Sequence, residues 1–155
     1  MKRFVFTLQA ILDLRLREEN DAKQELADKE MELHRYQQAV ESMQQGLQHF
    51  QEEERIGRAQ GRSVIELRTS VSWRNKLKLD ILQKAREMQD VMVDIDRARR
   101  KLIECTKKRR GLEILRENAF AAWKKERDRR DQLFMDELAQ NAHIRKQRQQ
   151  DHDEM

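Results

Sequence analysis

Stepping from Leu8 by four and three residues in alternation meets an apolar side chain at ten of thirteen stops. The series runs through Leu12, Ala22, Leu26, Leu33, Tyr36, Val40, Met43 and Leu47 to Phe50, and only Arg15, Glu19 and Lys29 interrupt it. A 3.5-residue repeat held over so many turns is the seam of a coiled coil, not the broader apolar face of a globular helix. The rest of the composition agrees. The 155 residues contain no proline and 40% of them are charged, where globular domains average about 5% proline and about 25% charged residues. Such helices hide one stripe each, with long charged side chains covering its flanks, so a rod is expected in place of a compact core. Thr7 reads as the N-cap. A helix from Thr7 to about Ile56 would extend roughly 75 Å.

The interruption comes at Gly57 and Gly61, and Ser63 with Glu66 three residues on forms a capping box at the start of a second helix. A second seam follows at Leu77, Ile81, Lys84, Met88, Val91, Ile95, Ala98, Leu102, Cys105, Arg109 and Leu112, nine of these eleven being apolar. Beyond it the phase is expected to slip by one, to Leu115, Ala119 and Trp123, then to loosen through Phe134, Leu138 and Ala142. A hairpin centred near residue 60 sets Leu8 beside Leu112 and Leu26 level with Ile95. The expectation is an all-α fold, an antiparallel two-helix coiled-coil hairpin with a projecting C-terminal helix. It would be a single domain over 1–155, with a helix over 7–56, a turn over 57–62 and a helix over 63–150. Residues from about 118 would project unpaired, leaving Phe120 and Trp123 without an intramolecular partner, and Asp151 to Met155 would fray.

Charge is unevenly placed. Residues 8–55 carry 6 basic and 12 acidic side chains, and residues 97–130 carry 14 basic and 5 acidic. Segments of opposite sign favour pairing with each other, modestly and in a salt-screened way. The basic run raises nucleic acid as a partner, Lys107-Lys108-Arg109-Arg110 being dense enough to contact several phosphates. Few aromatics, interleaved acids and an acidic first helix favour intramolecular pairing or an acidic protein surface, so no nucleic acid is expected. A lone cysteine, Cys105, on the seam reads as a structural thiol in a reducing compartment. His34, His49, His143 and His152 lack partners at metal-ligand spacing, and no phosphate-binding glycine loop exists. No cofactor, metal or catalytic group is expected, because a hairpin offers no water-excluding cleft. The opening Met1-Lys2-Arg3 and Phe4-Val5-Phe6 faintly resembles a signal peptide, but Thr7 and Gln9 break its apolar run and Asp13 and Arg15 end it, so none is expected. No stretch approaches the ~20 apolar residues of a membrane span.

The remaining signal is aromatic. Tyr36 and Phe50 fall on the seam, whereas Trp73 near the bend and Phe120 and Trp123 beyond Leu112 suit protein contact.

The opening Phe4-x-Phe6-x-Leu8-x-x-Ile11-Leu12-x-Leu14-Arg15, with Ala22 and Leu26 downstream, resembles the start of the flagellar export protein FliJ family. At the other end Leu115-x-Glu117 leads into Ala119-Phe120-x-x-Trp123-Lys124-Lys125-Glu126. Met135-Asp136-Glu137-Leu138-Ala139-Gln140 is similar to the Met-Asp-Glu-Phe-Ala-Gln segment near that family's C-terminus. The resemblance covers essentially the whole chain. It implies a fold like the coiled-coil stalk of a rotary ATP synthase, lodged in the hexameric type III export ATPase. It also implies contacts with the membrane export-gate protein and with export chaperones. The chain would be monomeric when free, cytoplasmic, and peripheral to the inner face of the cell membrane. ATPase contacts would fall to Phe4, Phe6, Phe120, Trp123, Lys124 and Met135, and gate contacts to Phe50, Trp73 and Leu77, although the seam makes Phe50 and Leu77 core. The equivalent stalk of a virulence secretion system and a homodimeric scaffold coiled coil remain open alternatives.

Overall fold

The computed structural model describes residues 3–153, and side chains through residue 149. Met1, Lys2, Glu154 and Met155 lie outside the described residues, and with them the last two residues of the expected frayed tail, whose first three, Asp151 to Asp153, are helical. The described chain is 93% helix with no strand. Its two long helices, α1 (Gln9–Ala59) and α2 (Val64–Asp153), pack together.

Two compact units divide the chain, one formed by Arg17–Thr106 and the other by Met1–Leu16 with Lys107–Met155. In the first unit the contacts between helices join progressively earlier residues of α1 to progressively later residues of α2. Glu54 Oε2 meets Arg74 Nη1 at 2.8 Å, Lys29 Nζ meets Asp94 Oδ2 at 3.6 Å, and Arg99 Nη2 meets Glu30 Oε1 at 3.3 Å. Lys101 pairs with Glu25, and the Thr106 hydroxyl donates to Glu19. Within this unit the helices therefore run side by side in opposite directions. Ala22, Val91, Ile95 and Ala98 form its fully buried apolar core.

These pairs are centred near residue 63, not 60, so the expected pairing of Leu26 with Ile95 is out of step by more than one turn. The cause is at the bend. α1 continues through Gly57 to Ala59, and Gly57 is a buried seam position over which the flexible end of the Arg62 side chain lies. The reversal falls at Gly61 alone, at φ +80°. There the Arg62 N–H donates to the Gly57 carbonyl (3.2 Å) and the Gly61 N–H to the Arg58 carbonyl (3.3 Å). These two bonds make a Schellman ending, which takes up orphan carbonyls with glycine at the left-handed position. The capping box forms as read: the Ser63 N–H donates to Glu66 Oε2 (3.2 Å) and the Glu66 N–H to Ser63 Oγ (3.3 Å).

Every stop of the first seam is buried or half-buried, including its polar members Arg15, Glu19 and Lys29, and the same stepping continues to buried Glu54 and Gly57. All eleven stops of the second seam are likewise covered, and it extends back through Arg74, Ser70 and Leu67.

The other unit begins with residues 3–8, which are not helical. Phe4, Phe6 and Leu8 are half-buried while Arg3, Val5 and Thr7 are exposed, the period-two alternation of an extended segment packed on one side. The Gln9 N–H donates to the Phe6 carbonyl (3.1 Å) and the Leu12 N–H to the Leu8 carbonyl (3.0 Å). The cap is thus Leu8, not Thr7: packing of Leu8 on the seam sets where the helix starts. On α2 the expected phase slip does not occur. Ala119 and Trp123 lie on the unbroken four-three stepping from Leu112 and are half-buried, while Leu115 is exposed.

Ion pairing along the helices sets a pH window for stability. Arg109, with Arg110, hydrogen-bonds Glu113 and holds its carboxyl below the ordinary 4.5, and Lys84 does the same for Glu87. In return Glu87 raises Lys84, and Glu25 raises Lys101, above the ordinary 10.5. A depressed carboxylate contributes stability above its unfolded value and loses it as pH falls through the folded one. A raised lysine contributes below its unfolded value and loses it as pH climbs through the folded one. Melting temperature followed by circular dichroism should hold a plateau between these limits and decline below about 4.5 and above about 10.5. A steady rise from pH 5 to pH 9 would contradict it.

Candidate protein-contact surfaces

The sequence expectation left Phe120 and Trp123 without an intramolecular partner, and only the family resemblance grouped them with Phe4 and Phe6, as contacts to another protein. The structure packs Phe4 against both. The Phe4 ring meets Phe120 edge-on at 5.2 Å between centroids and 78° between planes. It lies 5.9 Å from Trp123, and Phe120 stacks on Trp123 at 5.7 Å. Arg127 places its guanidinium 5.3 Å from the Trp123 ring, a contact in which a cation meets the negative face of the indole. Phe120 and Trp123 therefore do have an intramolecular partner, and the unpartnered stretch begins later: every side chain from 128 to 149 is exposed. The extended segment 3–8 accounts for the difference, since it covers α2 beyond the point where α1 begins.

Beside this cluster, Phe4, Glu113, Arg116, Glu117 and Phe120 line an open groove of about 520 Å3. Its floor is aromatic and its rim carries both charges, with Arg110 bridging Glu113 and Glu117 at 3.1 Å each. Lys124 is exposed next to Trp123. Met135 is exposed twelve residues further along α2 and does not join the cluster.

The second surface lies in the unit of Arg17–Thr106. Phe50, Trp73, Lys76, Leu77 and Asp80 line a groove of about 170 Å3, which brings together the three residues singled out for a second contact. Phe50 and Leu77 are half-buried seam residues, so each packs inward and shows only an edge. Trp73 is 61% exposed, with Lys76 Nζ 5.4 Å from its ring. One turn away, Glu54 is only 3% exposed and binds both Arg58 (3.2 Å) and Arg74 (2.8 Å). That buried charge cluster was missed in the sequence. The signal was there, because Glu54 is the next stop after Phe50 on the four-three stepping.

The basic run is occupied in part by the acidic first helix, through Arg99 with Glu30 and Lys101 with Glu25. This is the intramolecular complementarity expected from the charge distribution. Cys105 is half-buried on the seam. Among the described residues no group of three or more histidine, cysteine or acidic side chains is placed to hold a metal ion, and no helix is long and apolar enough to cross a membrane.

Comparison with curated proteins and with solved structures gives no match. A family model described as "Flagellar FliJ protein" matches residues 4–148, from the first residue of the aromatic cluster to near the end of α2. The chain belongs to the flagellar FliJ protein family.

Proposed function

We propose that this chain serves flagellar type III protein export as a coiled-coil stalk, which binds and stimulates the hexameric export ATPase and links it to the membrane export gate and to export chaperones. Membership of the FliJ family over residues 4–148 is the observation that carries the reading. In this reading the chain is an antiparallel hairpin, monomeric when dilute, and held at the inner face of the membrane only through its partners. The unit holding Phe4, Phe6, Phe120, Trp123, Lys124 and Met135 faces the ATPase, and Phe50, Trp73 and Leu77 face the gate.

The two aromatic clusters support this division. Aromatic side chains flanked by cations are the anchors that dominate protein contacts, and each unit carries one such group. A stalk has no bond to make or break. It acts on a ring of ATPase subunits only by contacting their conformations unequally, so that one interface closes in preference to the others.

The test is co-purification with the cognate export ATPase and measurement of its ATP hydrolysis with and without this chain. Stimulation that saturates below one chain per subunit supports a central stalk, and no binding removes the proposal. The gate contact has its own test. Trp73→Ala should leave melting within about 0.5 kcal/mol, because the indole is mostly solvated, and should weaken binding to the cytoplasmic part of the gate protein at least fivefold. Unchanged gate affinity would remove Trp73 from that contact.

A further inference from the structure

Residues 128–149 of α2 form six turns of helix on which every side chain is exposed. The stretch is not uniformly polar. Phe134 and Leu138 are 60% and 48% exposed and lie four residues apart, with Ala142 four further on, so they fall on one face with Asp131 and Arg145 at its two ends. Charge along the stretch has a direction. Residues 128–138 carry Asp128, Asp131, Asp136 and Glu137 against two arginines, while residues 139–149 carry Arg145, Lys146 and Arg148 and no acid.

We propose that this stretch pairs antiparallel with the same stretch of a second copy, about a two-fold axis through Leu138. A two-fold contact must be self-complementary, so that each residue meets the one at equal distance on the far side of the axis. Leu138 then meets Leu138 of the second copy, and Phe134 packs beside Ala142, a large side chain against a small one. Asp131 lies level with Arg145, and Asp128 falls beside Lys146 and Arg148. Arg130, the cation in the acidic half least well matched by this arrangement, is already engaged by Glu126 at 2.9 Å. A parallel pair would instead set acid against acid and base against base, which the same charges oppose. The contact is small, so the dimer is weak, with a dissociation constant on the order of 10–100 µM as for transient interfaces.

Sedimentation of the full chain over a wide concentration range reads the equilibrium directly. Mass should rise from one chain towards two, and Leu138→Glu should keep the chain monomeric without changing its helix content. Asp131→Lys and Arg145→Glu should each weaken association at least fivefold, and combining both should restore it, because the swap re-forms two opposite-charge pairs. Leu138→Cys in a Cys105→Ser background should oxidise to a linked dimer, since a residue on the axis faces its own copy. Mass that stays at one chain at every concentration overturns the proposal. So does dimerisation unaffected by Leu138→Glu, or Trp73→Cys linking as readily as Leu138→Cys in that background.

Discussion

Glu54→Ala should cost about 2–3 kcal/mol, the largest stability loss expected from any single charged side chain here. Glu54 is almost wholly buried yet binds two arginines. Its removal strands Arg74, whose side chain is 24% exposed and whose Nε is buried without a hydrogen-bond partner. Breaking a fully buried pair by deleting one member costs about 3–5 kcal/mol because the survivor keeps its desolvation penalty, and the partial access of Arg74 to water lowers that figure. The penalty belongs to the stranded cation, so relieving it should recover stability. The double change Glu54→Leu with Arg74→Met should lie within about 1 kcal/mol of the parent, since buried ion pairs are often replaceable by apolar side chains of similar volume. Urea unfolding of the parent, Glu54→Ala and the double variant decides it. A Glu54→Ala loss below about 0.5 kcal/mol would place this pair with ordinary surface ion pairs.

The two long packed helices were legible because their covered side chains follow a one-dimensional repeat. Every stop read on the two seams is covered, and the Ser63–Glu66 cap forms with both of its hydrogen bonds. Register was less legible. It depends on which of two glycines turns the chain, and in the sequence Gly57 and Gly61 look alike. They differ in three dimensions: Gly57 is helical with the Arg62 side chain lying across it, and Gly61 takes the left-handed turn. A pivot between them displaces every pair by more than one turn from the observed register. Seam positions occupied by charge were also under-read. Glu19 and Glu54 look like breaks in an apolar pattern, yet both are buried because polar partners reach them, Lys23 and Thr106 for one and Arg58 and Arg74 for the other.

The candidate contact surfaces were legible from the residues as aromatic types, and their groupings came only from the family resemblance. Trp73 stood out because it is aromatic near the bend, and its neighbours Phe50 and Leu77 were reached only through the family resemblance. The union of Phe4 with Phe120 and Trp123 was missed for a definite reason. Helical periodicity holds from Leu8 onward, but Phe4-x-Phe6-x-Leu8 alternates with period two, the mark of an extended strap with one buried side. Giving those three residues their own period would have covered Phe120 and Trp123 and moved the start of the unpaired helix from about 118 to 128.

That correction alters the expected consequence of Trp123→Ala. An indole on an unpartnered helix would be lost at almost no cost. Here it touches Phe4, Phe120 and Arg127, so its removal should cost about 1.5–3 kcal/mol, less than the ~3–5 kcal/mol of a fully buried aromatic because it remains partly solvated. The loss should be local. Hydrogen exchange should quicken at the Gln9 and Leu12 amides, whose bonds to Phe6 and Leu8 depend on the strap staying docked, while protection around Val91 and Ile95 stays unchanged. Phe4→Ala should produce the same loosening, and the two variants combined should cost about 1 kcal/mol less than their sum, the coupling of an aromatic pair. The ATPase readout separates packing from contact. If Trp123 anchors the ring, Trp123→Ala lowers stimulation at least tenfold in a salt-sensitive way, the flanking Lys124, Lys125, Arg127, Arg129 and Arg130 steering the encounter. Phe4→Ala loosens the strap equally but leaves the indole in place, so it should lower stimulation less than Trp123→Ala does. Equal losses from both variants would mean that the ring binds the docked strap as a unit. Full stimulation by both would remove this cluster as the ATPase contact.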